Sequence, residues 1–252
     1  MYPVLLRAGT LTLYSYGLML ALAFLACWAF ARWYLPRRGI DAAVALDLVL
    51  AAALGGISGA RALYVATNWD AFAANPLWVF QLQRGGMVFY GGLIGGAIAV
   101  ASYVLIKKLS VPAIADGAAI AVPLGSAIGR LGCFLNGCCS GRETGAWFGV
   151  EFPGTAARVM PTQLVDSVAN WLIFATLLHL FVRTKPRAGV LWWLFLVLYG
   201  VSRFLVETLR TNPALALGLT QAQWISIPMV LVGAVGLAWM LMRRTSTEVR
   251  PG

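Results

Sequence analysis

Roughly seven stretches of this chain are continuously apolar for the length of a membrane crossing, and that limits the folds open to it more than any other feature. They run approximately over Tyr14–Tyr34, Leu46–Ala66, Met87–Ile106, Pro112–Leu135, Leu164–Val182, Val190–Leu209 and Trp224–Met242. A helix needs about 20 mostly apolar residues to cross the hydrocarbon core. The stretches are unbroken rather than alternating. A helix satisfies its own backbone hydrogen bonds in lipid, so helices are expected and barrel strands are not. The expected fold class is all-α, a polytopic membrane protein with about seven transmembrane helices. Composition agrees, with 60% hydrophobic and 11% charged residues against roughly 25% charged in soluble domains. The first stretch is as long as a span and leads directly into others, so it reads as a helix rather than a cleaved signal peptide. Nothing interrupts the series, so residues 1–252 read as a single transmembrane domain.

The formal charge is +10. In a soluble protein this would point to nucleic acid. Here the basic residues stand in short loops, so no nucleic-acid partner is expected and anionic lipid is. Arg32, Arg37 and Arg38 follow the first span, Lys107 and Lys108 the third, Arg183, Lys185 and Arg187 the fifth, and Arg243, Arg244 and Arg250 the seventh. The other loops carry only the scattered Arg84, Arg142, Arg158 and Arg210. The positive-inside rule then puts the N-terminus outside and the C-terminus in the cytoplasm. The loops around residues 67–86 and 138–161 fall outside and are aromatic with few charges, which suits the head-group layer.

Ionisable side chains within spans cost about 2.5 kcal/mol or more and are candidates for function. They are Arg61, Asp116, Arg130, Asp166, Arg203 and Glu207, with Arg210 one turn further on. Arg203, Glu207 and Arg210 share one helix face, and an Arg203–Glu207 pair is one reading. The excess of arginine favours an anionic ligand, because guanidinium holds phosphate through parallel hydrogen bonds. Two glycine-rich runs, Gly85–Gly92 and Gly125–Gly132, read either as close helix packing or, for the first, as the wall of a cavity.

Five stretches, in order, resemble the phosphatidylglycerol–prolipoprotein diacylglyceryl transferase family. They are Tyr16-Gly17-Leu18-Met19, Gly59-Ala60-Arg61, Gly85-Gly86-Met87 with Gly91-Gly92-Leu93, Gly129-Arg130-Leu131-Gly132-x-Phe134-x-Asn136-Gly137, and Tyr199-Gly200-x-x-Arg203-Phe204-x-x-Glu207-x-x-Arg210. Pro161-Thr162-Gln163-Leu164 is similar to the family's Pro-Ser-Gln-Leu, and the likeness runs from about residue 14 to 213. Three positions depart from the pattern: Tyr90 for a histidine, Cys133 for an asparagine and Cys138 for a glutamate. His179 lies too far along the fifth span to replace the histidine and reads as a packed or interfacial side chain.

The resemblance implies a multi-pass enzyme of the bacterial cell inner (cytoplasmic) membrane. It would transfer diacylglycerol from phosphatidylglycerol to the lipobox cysteine of a prolipoprotein signal peptide, without a cofactor. Arg130, Arg203, Glu207 and Tyr90 would carry the catalysis. Tyr16, Arg61, Gly91, Gly92, Asn136, Gly141 and Arg210 would bind substrate. The rival readings are a catalytically altered lipid-binding relative and a lipid or anion transporter. A Cys133–Cys138 disulfide is the first reading of the cysteine cluster, with a catalytic thiol as the alternative. Three thiols with no histidine nearby are an incomplete set for zinc, so no metal is expected. Cys27, in the first span, reads as a small apolar residue.

Overall fold

The computed structural model of the chain describes residues 2–8, 11–73, 75–81, 85–152, 155 and 157–248. Arg84 and Arg250 lie outside them. The long helices are α1 (Ser15–Tyr34), α2 (Val44–Thr67), α4 (Phe89–Ile106), α5 (Val111–Asn136), α6 (Thr162–Thr184), α7 (Val190–Glu207) and α8 (Gln221–Glu248), with a one-turn helix α3 (Trp69–Ala73) after α2. Seven of them are long and apolar enough to cross a membrane, and their bounds fall within a few residues of the windows read from the sequence. The protein is a multi-pass helical membrane protein.

The sequence reading missed a short antiparallel ribbon of β1 (Val4–Ala8) and β2 (Leu11–Tyr14), in which Leu6 faces Leu13 and Arg7 faces Thr12. Its strands are too short to register against seven apolar helices.

The chain divides into two compact units. The unit Trp28–Ile114 is built on α2 against α4. Both helices carry glycines four residues apart, Gly55 with Gly59 and Gly91 with Gly95. A Cβ on Gly59 would lie 2.3 Å from the Gly91 carbonyl oxygen, and one on Gly95 2.3 Å from that of Gly55. Small residues at this spacing let two backbones touch in lipid, where no hydrophobic force drives helices together. At the basic end of this unit Arg37 stacks on Trp33, 3.9 Å from the ring centroid, and the Tyr34 hydroxyl donates to the Ala113 carbonyl at 2.8 Å.

The second unit joins Met1–Cys27 to Ala115–Gly252 and so holds the ribbon and α6 to α8. Its interior mixes apolar side chains such as Ile120, Leu177 and Leu191 with polar ones, and its outside carries many large apolar side chains. On α6, Thr162, Gln163, Asp166, Ser167 and Asn170 are buried, while Val168, Trp171 and Leu172 are exposed. The Ser167 hydroxyl donates to the Ala127 carbonyl of α5 at 2.8 Å. Asp116, fully buried, accepts the backbone N–H groups of Gly189 and Trp192, both at 2.9 Å. It therefore caps α7 from another helix, satisfying donors that every helix start leaves open.

Candidate active site

Three arginines and two carboxylates gather in the second unit. Arg130, near the C-terminal end of α5, meets Asp166 of α6 with Nε 2.7 Å from Oδ2. The other Asp166 oxygen accepts the Asn170 side-chain amide at 3.1 Å, so a residue one turn along α6 fixes the carboxylate. Arg203 and Glu207, one turn apart on α7, approach to 2.7 Å. The second Glu207 oxygen accepts the Asn212 side-chain amide at 2.6 Å. With Arg210 the group holds one more positive than negative charge. Arg203 Nη1 and Arg210 Nε are buried with no hydrogen-bond partner among the described residues. A buried donor without an acceptor costs about 1–3 kcal/mol, more when charged. Arg130 and Arg203 are thus each paired with a carboxylate, and Gln163 Oε1 and Asn170 Oδ1 are buried acceptors without a hydrogen-bond partner among the described residues.

The chain after α5 is tied down beside this group. Gly137 takes a left-handed φ of 76°, and the Cys138 N–H returns to the Cys133 carbonyl at 3.1 Å. The start of α6 grips the next two residues. The Gln163 amide donates to the Cys138 carbonyl at 2.7 Å and the Thr162 hydroxyl to the Cys139 carbonyl at 3.0 Å. Gly141 N–H donates to the Met160 carbonyl and Arg142 N–H to the Leu209 carbonyl, both at 2.9 Å. A Cβ on Gly141 would sit 2.4 Å from that Leu209 oxygen. Gly141 is accordingly a close-approach position holding this loop against the end of α7.

Tyr16 stands in the first turn of α1, 42% exposed, and its ring touches α5 where Gly132 leaves room, 3.3 Å from an added Cβ. Asn136 is the exposed last residue of α5. All four cysteines are free thiols, so the expected Cys133–Cys138 disulfide is not formed; the Cys138 sulfur instead points to the Cys133 carbonyl at 3.7 Å. The sulfurs of Cys133, Cys138 and Cys139 lie within 4.8 Å of one another. The Cys139 thiol is held below its ordinary range, first by hydrogen bonding with Cys133, then by Cys138 and the charges of Arg210 and Arg130.

The remaining expected site residues belong to the unit Trp28–Ile114. Arg61 is 6% exposed and spends all five N–H groups on backbone carbonyls. Nε donates to Val79 at 2.9 Å, Nη1 to Gly85 and Gly86 at 2.6 and 3.1 Å, and Nη2 to Trp78 and Gln81 at 2.6 and 3.2 Å. A guanidinium has no further donor, so Arg61 folds this loop and does not grip phosphate. Gly91 and Gly92 face α2, where Cβ atoms would meet the Gly59 oxygen at 2.4 Å and the Gly56 oxygen at 3.3 Å. They too are packing positions. Tyr90, partly exposed, heads α4 with its ring edge-on to Phe89. His179 is exposed on α6.

Sequence reasoning gave no role to Thr162, Gln163, Asn170 or Asn212. The first two stand in a motif quoted above, and Asn170 follows Asp166 by one helical turn in an apolar span, a spacing that marks a shared face. Asn212 carries no such signal.

Residues 3–239 match the model of the family described as prolipoprotein diacylglyceryl transferase. The chain is 37% identical over 254 residues to a protein of Geobacter sulfurreducens, covering 96% of each. It is 38% identical over 243 residues to one of Bordetella parapertussis, covering 92% of each. It is 31% identical over 255 residues to one of Trichormus variabilis, covering 96% of this chain and 90% of the relative. All three relatives bear the name phosphatidylglycerol–prolipoprotein diacylglyceryl transferase.

Proposed function

The chain belongs to the prolipoprotein diacylglyceryl transferase family, and from that premise we propose that it moves the diacylglyceryl group of phosphatidylglycerol onto the cysteine thiol of a prolipoprotein. The sulfur attacks the glyceryl carbon that bears the phosphoester oxygen. A carbon–sulfur bond forms and the carbon–oxygen bond breaks. Its electron pair leaves with glycerol phosphate, and the thiol proton passes to a base. Negative charge therefore grows on the phosphate in the transition state, where preorganised cations act most strongly.

The observation that carries this reading is the excess of positive charge beside Arg130 and Arg203: three guanidiniums against two carboxylates, with Arg203 Nη1 and Arg210 Nε lacking acceptors among the described residues. Arg130 and Arg203 bind the phosphate and Arg210 adds charge beside it. Glu207, engaged by Arg203 on one oxygen and Asn212 on the other, orients Arg203 and is poorly placed to take the thiol's proton. Asp166 does the same for Arg130. Tyr16 and Asn136 shape the head-group pocket. Family resemblance alone supports a role for Tyr90, as a hydrogen-bond donor to phosphate through its hydroxyl. The acceptor is the lipobox cysteine of a signal peptide. The membrane is the bacterial inner membrane, with the N-terminus outside.

The test is transfer of labelled diacylglycerol from phosphatidylglycerol vesicles to a lipobox peptide. Arg130→Ala and Arg203→Ala should each lower the rate by about a hundredfold or more, with insertion and detergent monodispersity unchanged. Near-normal rates in either variant would remove the phosphate-binding assignment.

A further inference from the structure

Three thiols converge where the reaction above uses none of them. Cys133 lies in the last turn of α5, and Cys138 and Cys139 are consecutive residues of the loop that follows. Neighbouring side chains ordinarily point apart in extended backbone. Here Cys139 takes the left-handed φ of 65°, uncommon outside glycine, and Cys138 and Cys139 both bring their sulfurs to Cys133. The loop is built to stay so, through the Cys138 N–H bond to Cys133 and the Gln163 and Thr162 bonds to the two cysteine carbonyls.

A disulfide would use two of these sulfurs and leave the third idle. A single ion uses all three. With metal–sulfur bonds of about 2.3 Å, a trigonal site sets its sulfurs about 4.0 Å apart. The three sulfurs already lie within 4.8 Å of one another, so closing onto an ion requires shifts of under about 1 Å. Among the described residues no carboxylate or imidazole joins the cluster. An all-sulfur set selects soft ions. Three ligands leave zinc one short of its tetrahedron but complete the shell of a three-coordinate ion. Three thiolates around a monovalent ion carry two net negative charges, and the positive charges of Arg210 and Arg130 bear on Cys139.

We propose that Cys133, Cys138 and Cys139 form a three-thiolate site for one soft monovalent metal ion, of the chemical class of Cu(I). The site is separate from the lipid transfer and stands whether or not that reading holds.

The full chain, purified in detergent and kept reduced without oxygen, is titrated with Cu(I) in competition with bicinchoninate. We expect one Cu(I) withdrawn per chain and an X-ray absorption shell of three sulfurs. C133S, C138S and C139S should each weaken retention by at least about tenfold, while C27S, altering the thiol remote in sequence, should not. Failure of the wild-type protein to withdraw Cu(I) would overturn the proposal. So would full retention in C139S, or a shell of two sulfurs. The absorption shell of the wild-type protein decides the matter even where a variant fails to fold.

Discussion

Removing the Arg61 side chain should open one loop and leave the helices standing. In Arg61→Ala the carbonyls of Trp78, Val79, Gln81, Gly85 and Gly86 lose a common donor. Tyr64 and Phe72 lose a guanidinium 5.7 and 5.3 Å from their ring centroids. Hydrogen bonds to charged groups contribute about 1.5–3 kcal/mol each, so five summed naively give about 8–15 kcal/mol. That sum exceeds what the protein will show, because a loop at the membrane edge can turn its carbonyls to water once released. The loss is therefore capped by the free energy of opening the loop, which we place at about 2–4 kcal/mol. Hydrogen exchange reads this directly at the Trp78, Gln81 and Val88 amides, which bond to Asn75, Trp78 and Ala60. A change of about 2 kcal/mol is about a 30-fold faster exchange at these amides, with α5 to α8 unaffected. Arg61→Lys, with three donors on a single point charge, should recover only part of the protection. Unchanged exchange at those amides in Arg61→Ala would refute the view that this arginine organises the loop.

Asp116→Asn replaces a charged acceptor of two α7 amides and should lower the thermal midpoint in detergent by several degrees, a loss of about 1–3 kcal/mol, while transfer at low temperature persists. Gly95→Ala drives a Cβ to 2.3 Å from the Gly55 oxygen and should cost about 1–3 kcal/mol by the same midpoint measurement; Gly17→Ala, with open space around it, is the control. Asp166→Asn leaves Arg130 charged but poorly oriented and should slow lipid transfer by about tenfold or more, with less effect on phosphatidylglycerol binding measured by saturation kinetics.

The seven spans were legible because a bilayer accepts so few alternatives to a long apolar helix. The intramembrane arginines were visible for the same reason, as charges where charge is expensive. What the sequence concealed was how each charge is discharged. Arg61 and Arg130 look alike in the chain, each near a glycine in an apolar run. Only the folded structure separates them: one is saturated by carbonyls of a loop up to 25 residues away, the other meets a carboxylate from the next helix. Asp116 was legible only in part, since nothing in the chain tells that a carboxylate in a span receives the amides of a helix start. Glycine was equally ambiguous. Gly91 sits in a stretch that resembles the family's, yet a Cβ there would meet the Gly59 oxygen at 2.4 Å, so its smallness also serves packing. Asn212 was invisible because a polar residue in a polar loop attracts no notice.

The pairing of Arg130 with Asp166 bears on how this protein is made. The two belong to consecutive spans, so α5 leaves the ribosome with a guanidinium whose counter-charge has yet to be synthesised. Held alone in hydrocarbon, that residue would cost about 2.5–3.5 kcal/mol, and Asp166 a comparable amount. The two helices are therefore better inserted together than in turn. A nascent chain halted before α6 should slip from the bilayer far more readily than one halted after it.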